Sequence, residues 1–237
     1  MPSFFDDRGI QFIECTLHRS GIREEMSLPL AVRYIPPYSS LDDACAEAEL
    51  VIFSAIDDLQ AKTGIAPSTI DILVVNCSVF SPVPSLGDMI LNPYKLRDDI
   101  HNVTLSGMDC IAGLITVGHL LRVRPEAQHG AHALVVSTET ITPNFYKGKN
   151  TSMQVTKIIF CMGSAAVLLS TSKSMVRFWL AHLVRTTTCA FDNSYHCIFH
   201  EEDVDVTLGI NISRKILATT ANALMANFTT RCDYSCR

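Results

Sequence analysis

A cysteine within a strand–turn–helix segment is the residue of this chain best suited to chemistry. The segment His101–Gly113 reads HNVTLSGMDCIAG, and Cys110 lies near its end. The pattern predicts a strand over His101–Leu105, a turn at Ser106-Gly107 and a helix from Cys110 onward. The N-terminal end of a helix carries partial positive charge, which stabilises a thiolate, the nucleophilic form of cysteine. The segment predicts a nucleophile, although an ordinary buried cysteine at such a turn has the same pattern.

Small residues lie on both sides of Cys110. Gly107, Ala112 and Gly113 are expected to leave room for a substrate carbonyl and for backbone N–H groups that stabilise an oxyanion. Together with a thiolate, these are the parts that acyl transfer through a thioester requires. A cysteine hydrolase or redox role is an alternative. It needs a base within hydrogen-bond reach of Cys110, and the sequence names none.

Composition narrows the class of protein. The chain has 237 residues, of which 48% are hydrophobic and 18% charged, so it can bury a sizeable core in one large or two small domains. Its formal net charge of −5 argues against nucleic acid as a partner. The sequence also contains no basic block and no RNA-binding signature.

Cysteine usage indicates reduced thiols rather than a disulfide framework. The nine cysteines are scattered, and no CxxC pair occurs. His196, Cys197 and His200 are the one weak candidate for a metal site. If they lie on a strand, the two histidines stand roughly 13 Å apart, which is too far to share a metal. We therefore expect no bound metal.

Helical periodicity and short apolar runs alternate along the chain. The predicted helices are Leu41–Thr63 (closed by Gly64), Leu86–Asn92, Cys110–Arg122 and Ser213–Ala226. The predicted strands are Ile70–Val75, Val103–Leu105, Ala133–Ser137 and Ser164–Leu169. As far as Leu169 this order indicates parallel strands in a three-layer α/β arrangement.

Two further segments complete this prediction. Ile141–Ser152 is predicted as a long polar and aromatic loop. Val176–Thr186 and Tyr195–His200 are predicted to pair as a hairpin.

Five stretches of the sequence resemble one family, in that family's order. They read YIPPYSSLDDACAEAE (34–49), DILVVNCSVFSPVPSLGDMILNPYKLRDDI (71–100), LSGMDCIAG (105–113), ALVVSTETITPNFYKGKNTSM (133–153) and CMGSAAVLLS (161–170). From about Phe12 to Thr230 the chain resembles the plant 3-ketoacyl-CoA synthases, the condensing enzymes of very-long-chain fatty acid elongation. The resemblance implies the N-terminal half of a thiolase-like fold, layered α/β with a central mixed sheet. The family's nucleophilic cysteine falls on Cys110.

The resemblance also implies a reaction and a setting. An acyl group passes from a long-chain acyl-CoA to Cys110, malonyl-CoA loses CO2, and the carbanion attacks the thioester. The two CoA esters are the substrates, no cofactor is implied, and the residues that bind CoA stay unknown. A homodimer or pairing with a related synthase is implied, on the cytosolic face of the endoplasmic reticulum membrane. Because no run of about 18 apolar residues occurs, the chain itself has no predicted span, and a cytosolic location is the alternative.

Two features set this chain apart from the family. After Thr230 the family continues into a half that carries a catalytic histidine and asparagine, whereas this chain reads RCDYSCR and stops. We therefore expect a truncated chain without condensing activity, and a catalytically dead interaction or dimerisation protein is the alternative. Asp109 stands where the family has glycine, and its carboxylate is expected to raise the pKa of the adjacent thiol.

The domain division follows from the same resemblance. We expect an N-terminal segment over residues 1–40, a thiolase-like half over 41–230 and an atypical tail over 231–237. Without a second half, Met108–Arg124, Ile70–Val75 and Ala133–Ser137 are expected to present a large apolar face.

Overall fold

The computed structural model describes residues 7–22, 26–34, 36–123, 130–172, 177–180 and 183–235. The chain divides into two compact units. One comprises residues 27–144 and 162–179, and the other comprises residues 1–26, 145–161 and 180–237. The domain boundaries at residues 40 and 230 stay a prediction.

The unit of residues 27–144 and 162–179 is built on a mixed sheet. Its described strands are β1 (Ile72–Asn76), β2 (His101–Leu105), β3 (His132–Thr138) and β4 (Ser164–Ser170). They lie in the order β2-β1-β3-β4, with β1 parallel to both β2 and β3. Every residue of β1 is buried, as its continuous apolar run predicts.

The prediction of parallel strands as far as Leu169 is wrong for β4. Thr138 lies opposite Ser164 and His132 lies opposite Ser170, so β4 runs antiparallel to β3. The intervening chain leaves and re-enters the sheet at the same end. A parallel strand would need a crossover that returns the chain to the other end.

Helices cover both faces of this sheet. The helices α2 (Leu41–Thr63) and α3 (Leu86–Tyr94) pack on the face that carries Leu73 and Leu134. The helix α4 (Ala112–Val123) lies against β3 and β1. Its contact with Ser137, which shares a face with Ala133, places it on the opposite side.

Local capping sets the ends of α2 where the sequence predicts them. The Ser40 hydroxyl accepts the N–H of Asp43 at 3.0 Å, which caps the first turn. At the other end Gly64 adopts a left-handed conformation with a φ of +67°, and its N–H donates to the carbonyl of Gln60.

The unit of residues 1–26, 145–161 and 180–237 contains helices and a two-stranded hairpin. Its helices are α1 (Asp7–Ser20), α5 (Thr151–Ile159), α6 (Asp192–Tyr195) and α7 (Ile216–Ser235), and its strands are β5 (Ile198–Glu202) and β6 (Leu208–Ile212). The helix α5 packs against α1 and β6. None of the helices in the described ranges combines the length and apolarity needed to cross a lipid bilayer.

The predicted hairpin between Val176–Thr186 and Tyr195–His200 is wrong. Residues 177–180 and 183–186 form no strand, and residues 173–176 and 181–182 lie outside the description. The hairpin forms between β5 and β6 instead. Asp203 closes its turn, since its Oδ1 accepts the N–H groups of Asp205 and Thr207 at 2.9 Å each.

The segment predicted as a loop over Ile141–Ser152 ends inside α5, which the apolar pattern does not reveal. Asn150 caps this helix by accepting the N–H of Ser152. Two of its buried side chains, Gln154 and Thr156, are polar, so the expected apolar stripe is incomplete. The helix α7 also begins later than predicted, because Ser213 forms a turn before Ile216.

Candidate active site

Cys110 lies where the strand–turn–helix pattern predicts it. The strand β2 ends at Leu105, a 3-10 turn spans Asp109–Ile111, and α4 begins at Ala112. The residue is exposed, which differs from the buried cysteine that the same pattern also allows. Because it lies two residues before Ala112, the first residue of α4, Cys110 is near the positive end of the helix dipole.

The turn that leads to Cys110 is held by the loop after β1. The N–H of Gly107 donates to the carbonyl of Ser78 at 3.0 Å, and the N–H of Cys77 donates to the carbonyl of Leu105 at 3.1 Å. Gly107 has a φ of +68°, a conformation that side chains with a Cβ rarely adopt. Since β1 and β2 are parallel, Cys110 follows the carboxyl edge of the sheet, where ligands of open α/β folds bind.

A glutamate after β3 completes this edge of the sheet. The carboxylate of Glu139 accepts the backbone N–H of Ser78 at 2.7 Å and that of Val79 at 3.3 Å. The buried Cys77 thiol lies 3.7 Å from Oε2 of the same carboxylate. Glu139 is not among the residues that the sequence motifs predict. The sequence could have indicated a role for Glu139 only through its position, as an acidic residue directly after a buried strand.

The environment of Cys77 differs from that of Cys110. Burial, and then the negative charge of Glu139, raises the pKa of the Cys77 thiol above its ordinary value. Cys77 is therefore protonated and inaccessible near neutral pH, whereas Cys110 is exposed. Of these two cysteines at the same sheet edge, Cys110 is the one that a substrate can reach.

The first turn of α4 packs closely on the end of β3. A Cβ atom on Gly113 would lie 2.8 Å from Oγ of Ser137, and Ala112 is 2% exposed. These two small residues serve helix–sheet packing instead of the substrate space expected of them. A Cβ atom on Gly107 would meet nothing within 4 Å, so this glycine borders open space, and the substrate room beside Cys110 stays a prediction.

Apolar side chains near Cys110 in the sequence are exposed. Met108 is 38%, Ile111 48% and Leu114 66% exposed. The wider apolar face expected over Ile70–Val75 and Ala133–Ser137 is wrong, because the described strands at both places are buried by helices on either side of the sheet. The Asp109 side chain lies outside the description, so its effect on the Cys110 thiol stays a prediction.

Histidines that could assist Cys110 are not placed beside it by the sheet. His101 and His132 begin β2 and β3, at the end of the sheet opposite the Cys110 turn. Four residues of strand, roughly 13 Å, separate His101 from the carboxyl end of β2. The His119 side chain and His129 lie outside the description.

The weak metal candidate of the sequence is not assembled. His196 directly follows α6, while His200 lies in β5, so the two histidines do not share a strand. The Cys197 thiol lies 3.0 Å from the carbonyl oxygen of Asn193. Within the described ranges, no group of three or more His, Cys, Asp and Glu residues is arranged to hold a metal ion.

Solved structures resemble this fold over most of the chain. A fungal type III polyketide synthase, ORAS, superimposes with a TM-score of 0.70 at 16% identity, covering 95% of this chain and 64% of that one. The I375W mutant of CsyB complexed with CoA-SH gives 0.69 at 18% identity, with coverage of 95% and 64%. At such identities the likeness concerns the fold, and it confirms the predicted layered α/β, thiolase-like class.

Sequence relatives indicate the family of this chain. The 3-ketoacyl-CoA synthases 6 and 5 of Arabidopsis thaliana are each 46% identical to this chain over 229 residues. The alignments cover 94% of this chain but 45% and 46% of the relatives, so the chain spans about half the length of the curated relatives it matches. The predicted resemblance to the 3-ketoacyl-CoA synthases is confirmed.

A family model covers nearly the same region. Residues 2–233 match the model described as FAE1/type III polyketide synthase-like protein. This match shows that the chain belongs to the FAE1/type III polyketide synthase-like protein family.

Proposed function

We propose that Cys110 accepts the acyl group in a reaction of the 3-ketoacyl-CoA synthase type. The observation that supports this most directly is an exposed cysteine at the start of α4, on a turn that follows the carboxyl end of β2. Membership of the family supplies the reaction class. In the first step the Cys110 thiolate attacks the thioester carbonyl of a long-chain acyl-CoA, and the CoA thiolate leaves.

The second step needs hydrogen-bond donors in addition to the Cys110 thiolate. When malonyl-CoA loses CO2, hydrogen-bond donors must stabilise the enolate oxygen that develops. His101 and His132 lie at the far end of the sheet from Cys110. We therefore propose that Cys110 accepts the acyl group, and that neither His101 nor His132 takes part in decarboxylation or condensation.

The proposed setting follows the family. Long-chain acyl-CoA and malonyl-CoA are the proposed substrates, and the cytosolic face of the endoplasmic reticulum membrane is the proposed location. A second copy or a related synthase is the proposed partner, in support of which Ile111 and Leu114 expose apolar surface next to Cys110. A catalytically inactive interaction protein is the second candidate, favoured by the same exposed side chains.

The two steps are tested separately with the purified 237-residue chain. Incubation with a radiolabelled long-chain acyl-CoA is expected to give a hydroxylamine-sensitive label on the peptide that contains Cys110. The label is expected to survive Cys189→Ala, which removes another exposed cysteine, and to disappear in Cys110→Ala. Equal labelling of Cys110→Ala would overturn the nucleophile assignment.

Addition of malonyl-CoA then tests whether the chain can carry out condensation as well as acyl acceptance. We expect acyl-enzyme without elongated product, because losing one oxyanion donor costs roughly 10²–10³-fold in rate. Elongated product above the level of Cys110→Ala would show that residues 1–237 contain the condensing groups after all.

A further inference from the structure

We propose that Glu139 is a positioning residue for Cys110. Its carboxylate holds the loop after β1, and that loop holds the turn that leads to Cys110. The inference rests on the proposed role of Cys110 as the nucleophile. It concerns how the thiol is held, and Glu139 itself is not assigned any contact with substrate.

The first link joins Glu139 to the loop after β1. Oε1 accepts the N–H of Ser78 at 2.7 Å, and Oε2 accepts the N–H of Val79 at 3.3 Å. Hydrogen bonds to an ionised carboxylate are roughly twice as strong as those between neutral groups. Two bonds from one carboxylate to consecutive N–H groups fix both the position and the orientation of this loop.

The second link follows from the planarity of the peptide group. The N–H of Val79 and the carbonyl of Ser78 belong to the same peptide plane, and in a trans peptide they point in opposite directions. Glu139 binds the N–H side of this plane, so the Ser78 carbonyl is directed away from Glu139. That carbonyl accepts the N–H of Gly107 at 3.0 Å.

The third link runs from Gly107 to Cys110. Gly107 turns the chain in a left-handed conformation, with a φ of +68°, three residues before Cys110. A turn of this kind in glycine has many accessible alternatives, so the hydrogen bond to Ser78 selects one of them. The orientation of Cys110 before α4 therefore depends on a carboxylate that directly follows another strand, β3.

Glu47 offers a matched control in the same unit. Its buried carboxylate also accepts two consecutive backbone N–H groups, those of Ile141 and Thr142, at 2.8 Å each. These partners lie two and three residues after Glu139, and Glu47 does not itself bind Ser78 or Val79, which Glu139 holds. Removal of either carboxylate is expected to destabilise the unit, but the proposal ties Cys110 to Glu139.

The test compares Glu139→Ala, Glu139→Gln and Glu47→Ala in the 237-residue chain. The rate of Cys110 alkylation by iodoacetamide is measured across pH 6 to 9 by peptide mass spectrometry, relative to the exposed Cys189. We expect Glu139→Ala to lower the relative rate roughly tenfold, because a Cys110 displaced from the helix N-terminus loses the partial positive charge that stabilises its reactive thiolate. Glu139→Gln, which keeps an acceptor for Ser78, is expected to retain most of the rate. Glu47→Ala, which leaves the contacts of Glu139 with Ser78 and Val79 in place, is expected to lose less of the rate than Glu139→Ala.

The two Glu139 variants separate positioning from charge. Both remove the negative charge, so a purely electrostatic effect would change their rates and pH profiles equally and would overturn the proposal. An unchanged rate in Glu139→Ala, or an equal loss in Glu47→Ala, would also overturn it.

Hydrogen exchange measures directly whether the Gly107 turn is held, so it tests the proposal even where the alkylation rates are altered by a general loss of stability. The Gly107 amide is expected to exchange faster in Glu139→Ala than in Glu139→Gln or Glu47→Ala, and equal exchange in the three variants would contradict the proposal. If wild-type Cys110 reacts no faster than Cys189, the nucleophile assignment fails. In that case the Gly107 amide still decides whether Glu139 holds the turn.

Discussion

Gly113 and Ser137 meet at the point where α4 begins and β3 ends. A Cβ atom on Gly113 would lie 2.8 Å from Oγ of Ser137 and 3.9 Å from its Cβ. The Ser137 hydroxyl is therefore the group that an added Cβ atom at Gly113 would meet. Because Cys110 precedes Gly113 by three residues, this contact also bears on where the candidate nucleophile lies.

The contact predicts a stability coupling between these two positions. Replacing glycine by alanine inside a helix is favourable by about 1 kcal/mol, but at Gly113 the added methyl group meets the Ser137 hydroxyl. We expect Gly113→Ala to be more favourable by about 0.5–1 kcal/mol in a Ser137→Ala background than in the wild type. Urea unfolding of the four proteins measures this coupling. Gly163→Ala, where an added Cβ meets nothing within 4 Å, is expected to show none. Additive effects at 113 and 137 would contradict the packing described.

Cys77 and Cys110 are expected to differ sharply in reactivity. Cys77 is buried, and burial and then Glu139 raise the pKa of its thiol, whereas Cys110 is exposed. Iodoacetamide at neutral pH is expected to label Cys110 first, and Cys77 about a hundredfold more slowly or only on unfolding. Labelling followed by peptide mapping, with and without urea, measures both rates. Labelling of Cys77 before Cys110 in the native chain would contradict the assignment.

The lowered pKa of Lys157 predicts that the free energy of unfolding depends on pH. Its Nζ lies 5.2 Å from the centroid of the Tyr146 ring, and burial lowers the pKa of Lys157 from 10.5 to about 8. Between these two values the unfolded chain binds more protons at this residue than the folded chain. Its contribution to the free energy of unfolding therefore rises with pH across this window. Below the folded pKa both states are protonated and the contribution is constant.

The measurement is the difference in free energy of unfolding between wild type and Lys157→Met at pH 7, 8, 9 and 10. Taking the difference removes the titration of cysteines and tyrosines common to both proteins. We expect the wild type to gain stability relative to Lys157→Met from pH 8 upward. A difference that does not change with pH would show that Lys157 keeps its ordinary pKa.

The exposed side chains of Ile111 and Leu114 predict association in solution. Leu114 is 66% exposed one turn after Cys110, where it adds apolar surface beside that of Ile111. Size exclusion with light scattering is expected to show a dimer or larger species, and Leu114→Glu is expected to reduce it. Val83→Glu, at a residue 97% exposed in the loop before α3, serves as the control and is expected to leave association unchanged. A monodisperse wild-type monomer would exclude this interface.

The elements that the sequence predicts correctly are those whose signals lie within a few residues. Ser40 and Gly64 cap α2 through contacts three or four residues away, and the bounds Leu41–Thr63 follow from them. Likewise, a β-prone run, a glycine turn and the small residues after Cys110 lie within one segment of thirteen residues, from His101 to Gly113. The candidate nucleophile and its place before a helix could therefore be predicted before the fold was known.

The tertiary structure decided what depends on the order and direction of the strands. Glu139 and Ser78 are 61 residues apart, and they meet because β1 and β3 are parallel neighbours whose carboxyl ends share an edge. The antiparallel direction of β4 was set by the end at which the chain re-enters the sheet. The helix α5 could not be recognised from apolar periodicity because it buries polar residues such as Gln154. Periodicity and capping act over one or two turns of chain. Contacts between strands depend on which strands become neighbours in the folded sheet, and these local signals do not determine that.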